Sequence, residues 1–393
     1  CSRCGTSGPA PREVGVSLGR TASGDLWVGV GGTVPGMSGQ WATMEGPDVP
    51  ERKMSPTPDP TAPFRTHASY VAAFAHLATD GGSLADALDN TAAAIASWPS
   101  PADKPGPTPD LTVVRRSLQH AWGTELIQGH NLSIADDELV RLTNTWSIVQ
   151  TYYVAYPATQ ALWVALGHDR PTAHPKTQSL FVDLWATRNL HLPPLTLGVG
   201  ATGATNLPAG VTVEAVHNWT WCDSTTCWSL AAKALQSTRK ERLRERQSSK
   251  RDEKQADNRK AWKEDEAAKI AKGRTPRKVP KFSRPQLTSS EKATIATSTR
   301  TYGLIDYLYR LRVRANYVDA SIFTDGPDDQ FVSTILAENL VTLSSVVLMG
   351  HEHRIGVLVG SATLLDWMDK FIAKNALPSD AVIRERRARY PII

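Results

Sequence analysis

Residues 239–284 hold 18 Lys or Arg against 8 Asp or Glu, and apolar side chains are almost absent there, with Leu243, Trp262 and Ile270 far apart. A stretch of this kind cannot bury enough apolar surface to offset the entropy lost on ordering a chain, so it lies outside any core. Segments with helical periodicity sit on both sides of it. We therefore expect the two flanks to build one core and the charged stretch to be an insertion between them. The whole chain of 393 residues carries a formal charge of +5, so the surplus of ten positive charges in the insertion leaves the remainder net acidic. The first part of the insertion is compatible with a solvated helix. Pro276–Pro285 is not, because proline removes backbone donors.

The flanks set the fold class. Residues 1–64 are rich in Gly, Pro, Ser and Thr without a sustained period and read as a mostly disordered arm, with a short strand pair near Asp25–Val30. Residues 65–109 read as a small helical pair (Tyr70, Ala73, Phe74, Leu77, then Leu84, Leu88, Ala92, Ile95) closed by the Pro-rich run Pro99–Pro109. Asp110 is a candidate N-cap for a helix to about Gly129, and Asp136 for the strongest helix in the chain. There Leu139, Leu142, Trp146, Val149, Tyr153 and Tyr156 recur at spacings of three and four, which predicts a core-facing stripe, and Pro157 predicts a kink or break. Pro175 opens a shorter helix with Leu180, Phe181, Leu184 and Trp185. Beyond the insertion, helical patterns return over Ile305–Val313, from Asp329 through Val332, Leu336, Leu340, Leu343 and Val347, and over Leu358–Phe371. The expectation is an all-α fold whose bundle runs from about residue 110 to 375, in two parts (110–238 and 291–393) around a basic, solvent-exposed insertion at 239–290.

Four cysteines are too few for a disulfide scaffold in a chain this long, and no apolar run was found that reaches the ~18 residues a bilayer requires. A reducing, cytoplasmic setting without membrane contact is expected. Cys1-Ser-Arg-Cys4 together with Cys222 and Cys227 could complete a four-thiolate zinc site, or all four could be reduced thiols; the expectation is no metal and no cofactor. His351-Glu-His353 lacks the one-turn spacing by which two histidines on a helix share a metal.

The stretch Tyr152-Tyr-Val-Ala-Tyr-Pro-Ala-Thr-Gln-Ala-Leu-Trp-Val-Ala-Leu-Gly167 resembles the central helix of HEPN domains. His174-Pro-Lys-Thr-Gln-Ser-Leu-Phe181 is similar to the turn and short helix that follow it there. Tyr307-Leu-Tyr-Arg-Leu-Arg-Val-Arg-Ala-Asn-Tyr-Val-Asp319 looks like that family's Arg-x-x-Ala-Asp/Asn-Tyr segment. The resemblance implies a helical bundle of four to five helices and an RNA-directed role of a toxin or antiviral-defence type: a metal-independent endoribonuclease, or a non-cleaving RNA binder, acting as a homodimer or with a partner protein of a defence system. The family's usual signature pairs an Arg with a His four to six residues on. His moves a proton near neutral pH while Arg stabilises the charged phosphate. No His follows Arg314 at that spacing. Arg115 and His120 fit it by letters, in an earlier helix.

The candidate catalytic residues are accordingly Arg314, Arg312, Asn316, Arg115 and His120. Candidate nucleic-acid contacts are Tyr153, Tyr156, His174, Tyr317, Lys260 and Trp262, the last with Phe282 as a base-stacking platform on a basic run that would release counterions from a phosphate backbone. The bland reading of the same residues is an internal ion pair of Arg312 with Asp319 and ordinary amphipathic tyrosines. The competing function is a partner-binding helical scaffold that dimerises through a face such as Leu336–Val347.

Overall fold

The computed structural model describes residues 19–20, 26–27, 62–98, 108–133, 136–188, 190–213, 222–318, 322–323, 330–378 and 381–390. The chain divides into two compact units, Cys1–Thr57 and Pro58–Ile393. In the first, β1 (Gly19–Arg20) and β2 (Leu26–Trp27) pair antiparallel, Gly19 opposite Trp27. One of these strands, Leu26–Trp27, falls in the expected Asp25–Val30 stretch, and its partner lies earlier. The end of the expected disordered arm is corrected, because residues 62–64 open a helix and Phe64 is buried; the rest of the arm lies outside the described residues.

The second unit is helical. Its α-helices are α1 (Ala62–Thr79), α2 (Leu84–Ala96), α3 (Leu111–Ser133), α4 (Asp137–Ala165), α5 (His174–Leu184), α6 (Cys227–Ala271), α7 (Ser289–Ser298), α8 (Leu304–Val313), α9 (Gln330–Val359), α10 (Ser361–Lys374) and α11 (Val382–Arg389). Helix starts follow local chemistry. Ser83 and Asp86 form a capping box on α2, and Thr288 and Glu291 form another on α7. The Asp110 carboxylate accepts from the Thr112 and Val113 amides, and Asp136 from those of Glu138 and Leu139, as expected from sequence. Strand β3 (Gly198–Gly200) lies between β4 (Gly203–Thr205) and β5 (Tyr302–Gly303), and β5 runs directly into α8. A Cβ on Gly198 would lie 2.8 Å from the Thr301 methyl and 2.9 Å from the Thr205 hydroxyl, so only glycine permits this close pairing.

Segments from both sides of the insertion share one core. Helix α9 packs against α1, α2, α3 and α4, and the helical pair α1–α2 belongs to the same cluster. Helix α9 also corrects the reading that no apolar stretch is long enough for a bilayer. Phe331–Val359 passes that test by length and composition, yet most of it is buried among the other helices. Leu336, Leu340, Leu343 and Val347 are all interior, which removes them as a dimer face.

Helix α4 departs from its expected orientation. Leu139 and Leu142 are each 44% exposed and Trp146 is 61% exposed, whereas Val140, Asn144, Ile148, Tyr152, Ala155 and Leu162 face the core. The stripe of large side chains misled because α3, α4 and α9 pack closely through small and polar residues. Gln128 donates to the Ser147 carbonyl and the Thr151 hydroxyl and accepts from Ser344, and Asn144 donates to the Ser333 carbonyl. Pro157 does not end the helix, which runs on to Ala165.

The insertion is ordered. Helix α6 buries Leu230, Ala231, Ala234 and Leu235 and then runs outward as an arm of about thirty residues, roughly 45 Å at 1.5 Å per residue. It is sustained by pairs one turn apart, Arg242–Glu245, Lys250–Glu253, Lys260–Glu264 and Asp265–Lys269. Gly273, at φ +78°, supplies the left-handed residue that ends it. The Pro-containing strap then returns along the helix: Arg277 pairs with Asp265 and Glu266, Gln255 donates to the Phe282 carbonyl, and Arg284 grips Asp252 and Ser248.

The chain's deepest charges lie elsewhere. Arg386 of α11, wholly buried, donates to Glu125 of α3 and through Nε and a terminal nitrogen to both oxygens of Glu352 of α9. Trp122 (2.5 Å) and Tyr390 (2.7 Å) also donate to Glu352, and Ser345 to Glu125 (2.8 Å).

Candidate functional site

Three elements converge on one partly exposed cluster. Helix α4 presents Tyr152, Tyr153 and Tyr156; α5 begins at His174, placed by Pro175 in its first turn; the last turn of α8 supplies Tyr309 and Arg312. Helix α8 is fixed at its start by Asp306, which accepts from the Gly303 amide and holds Arg300 in a near-buried pair. The Tyr152 hydroxyl lies 2.7 Å from His174 Nδ1, and the Tyr156 hydroxyl donates to the Thr172 carbonyl at 3.3 Å. Around the imidazole, ring centroids stand 4.6 Å (Tyr156), 5.6 Å (Tyr152) and 5.7 Å (Tyr309) away. The Arg312 guanidinium carbon lies 5.3–5.6 Å from the ring centres of Tyr153, Tyr309 and Tyr152.

The three arginines of this turn differ in their partners. Arg310 and Arg314 both pair with Glu241 at the base of the arm, and Arg310 also reaches Ser237 at 3.0 Å. Arg312 has no hydrogen-bond or ion-pair partner among the described residues, and its Nε is buried without an acceptor. Its charge is met only by ring faces, a cation–π setting. Partial burial and the neighbouring Arg312 charge hold the His174 pKa below its ordinary value, so the imidazole is neutral at pH 7. Burial drives the Tyr152 phenol well above its usual range, which keeps it a hydroxyl. The arrangement offers a cation, stacking surfaces and a neutral proton acceptor together.

Of the residues singled out by sequence, Arg312, Tyr153, Tyr156 and His174 meet here. Arg314 lies just beyond, held by Glu241. Asn316 is half-buried and Tyr317 is 73% exposed in the π-helical turn Arg314–Val318 that extends α8, and among the described residues no hydrogen bond or ring contact joins either to the cluster; Asp319 lies outside the described residues. Arg115 and His120 are exposed on the outer face of α3, and among the described residues no hydrogen bond or ring contact joins them to the cluster. Lys260 is 77% exposed on the arm beside Glu264. Trp262 packs edge-on against Phe282 at 6.2 Å, so these two half-exposed rings, candidates for base stacking, also tie the strap to the arm. Sequence reasoning passed over Tyr309, although its place three residues before Arg312 on a helix puts both on one face.

Among the described residues no group of three or more His, Cys, Asp or Glu is placed to hold a metal. Cys222 and Cys227 are free thiols, and burial pushes Cys222 up to about 12; Cys1 and Cys4 lie outside the described residues. His351 accepts from the Trp185 indole at 3.2 Å inside the core, while His353 packs on Trp98, so the two diverge. No family model, curated protein or solved structure matches the chain.

Proposed function

We propose that this protein is RNA-directed, HEPN-like in the way its tyrosine helix and arginine turn cooperate, and that single-stranded RNA is held at the α4–α5–α8 cluster. The reading rests on one observation: Arg312, alone among the arginines of its turn, has no anionic partner among the described residues, while three tyrosine rings face it and a neutral His174 lies within the same cluster. A phosphate would supply the missing anion, and bases stack on tyrosine faces with little regard to sequence.

The same set could cleave. In the tautomer whose Nδ1–H donates to the Tyr152 hydroxyl, Nε2 is left as the proton acceptor. That nitrogen takes the ribose 2′-hydroxyl proton, the 2′-oxygen forms a bond to the adjacent phosphorus, and the bond to the 5′-oxygen breaks as Arg312 offsets the phosphorane charge, the departing oxygen taking a proton from water. The arm supplies capture: Lys272, Arg274, Lys278 and Lys281 are exposed around its tip.

The test is incubation of the protein with ribosomal RNA, transfer RNA and single-stranded oligonucleotides, in chelator, beside Arg312→Ala and His174→Ala. The expected outcome is salt-sensitive binding lost in the Arg312 variant, with cleavage, where present, lost in both. Binding and cleavage equal in all three proteins would remove this site, and absence of both in the parent protein would remove the RNA reading. The exposed stripe Leu139, Leu142, Trp146 and Tyr153 favours a second reading, self-association through the outer face of α4 in a non-catalytic scaffold. A sedimentation profile showing a dimer that Trp146→Glu dissociates, in a protein without RNA affinity, would favour it.

A further inference from the structure

The buried Arg386 cluster is not symmetric. Both oxygens of Glu352 are occupied, by Arg386, Trp122 and Tyr390. Glu125 accepts from Arg386 and Ser345 through Oε1 alone, and its Oε2 accepts no hydrogen bond among the described residues. Two carboxylates thus share one guanidinium. Glu125 is only 2% exposed, and it lines a cavity of about 600 Å³ between the C-terminal half of α3 and Leu377, Pro378, Ala381, Val382 and Ile383. The other walls are apolar: Trp122, Leu126, Leu132, Leu377 and Ile383. The Trp122 indole N–H is spent on Glu352, and among the described residues His130 and Ser133 are the other polar side chains of the lining, the Ser133 hydroxyl donating to the His130 carbonyl.

An apolar chamber of this size holds a drug-sized molecule, and such chambers take their specificity from a few placed polar groups. Here the single deep group is a carboxylate with a spare oxygen and half a counter-charge. An apolar body alone would leave Oε2 without a partner, and an anionic head would place a second negative charge against it. A cationic donor satisfies both the hydrogen bond and the charge.

We propose that this cavity binds a small amphiphilic amine, its hydrocarbon or aromatic part among Trp122, Leu126, Leu132 and Ile383 and its ammonium group on Glu125 Oε2. The site is distinct from the α4–α5–α8 cluster, and neither Arg312 nor His174 contributes to it.

The experiment is calorimetric titration of the full chain with phenylbutylamine, phenylbutanol and phenylbutyrate, which share a body and differ at the head. The expected order is amine over alcohol by at least about tenfold, with no uptake of the carboxylate. Glu125→Gln should bring the amine down to the affinity of the alcohol. Leu132→Trp, which fills the chamber from its half-exposed rim, should abolish binding of both and provides a variant independent of the buried charges. Equal affinity for amine and alcohol in the parent protein, no binding of any of the three, or amine binding that survives Leu132→Trp would each overturn the proposal.

Discussion

The arm and the core use the same chemical pair, arginine with carboxylate, to opposite effect. On the arm, Arg284 meets Asp252 and Arg242 meets Glu245 with both partners largely in water. In the core, Arg386 meets Glu125 and Glu352 with none of the three more than 2% exposed. Water screens the first kind, and each partner can do without the other. Nothing replaces the second kind: a charge left behind in the interior has no solvent to turn to. An ion pair therefore contributes according to what surrounds it, and the arm needs many pairs where the core needs one cluster.

Removing Arg386 should be the costliest single change. Arg386→Met strands two buried carboxylates and is expected to lower unfolding free energy by about 3–5 kcal/mol, read from urea denaturation. Adding Glu125→Gln and Glu352→Gln to that variant should recover part of the loss, because uncharged amides remain. If Arg386→Met costs no more than an arm substitution, the contrast between the two regions fails.

The core should also respond to acid. His67, enclosed by Tyr70, Tyr307 and Phe323, and His351, beside Phe181 and Trp185, are each held down to about 3, chiefly by burial. Their unfolded forms take up protons below about 6.5 and their folded forms do not, so stability drains away as pH falls from 6.5 towards 3. Each should cost about 2 kcal/mol by pH 5. Burial lifts Glu125 and Asp306, which acts with the opposite sign, so the informative quantity is a difference. Urea midpoints at pH 7.5 and pH 5 should lie closer together in His67→Gln than in the parent protein.

The arm should yield the smallest effects on stability. Arg284→Ala should cost less than about 1 kcal/mol. Joining Ala256 to Phe282 through a short Gly/Ser turn removes the outer arm while keeping Lys254 on Glu291, and the thermal midpoint should hardly move. That shortened protein should lose much of the salt dependence of any RNA binding, since the tip cations go with it. A large drop in melting temperature would mean that the arm supports the core after all.

How much of this the sequence discloses follows the same division. Helix starts were legible, because Asp110 and Asp136 act on amides two and three residues away. The solvated helix of the insertion was legible too, from composition alone. Which face of α4 points inward was not. Large side chains at Leu139, Leu142 and Trp146 imitate a core stripe, whereas the buried face is built from residues such as Ala155, Thr151 and Asn144 whose packing depends on α3 and α9. Arg312 and His174 could be nominated from a resemblance, but their meeting is a tertiary event. Arg386 was hidden in an arginine-rich end that reads as a polar tail. Its one signal is the shared helical face of Ile383, Arg386 and Tyr390.

The position of Arg386 in the chain also bears on when the protein becomes itself. Glu125 and Glu352 are synthesised 261 and 34 residues before the guanidinium that neutralises them. A chain cut ahead of α11 would keep helices α1–α10 yet carry Glu125 and Glu352 in its core without the guanidinium that pairs with them. Docking of α11 thus settles the charge of a core assembled from segments far apart in the chain.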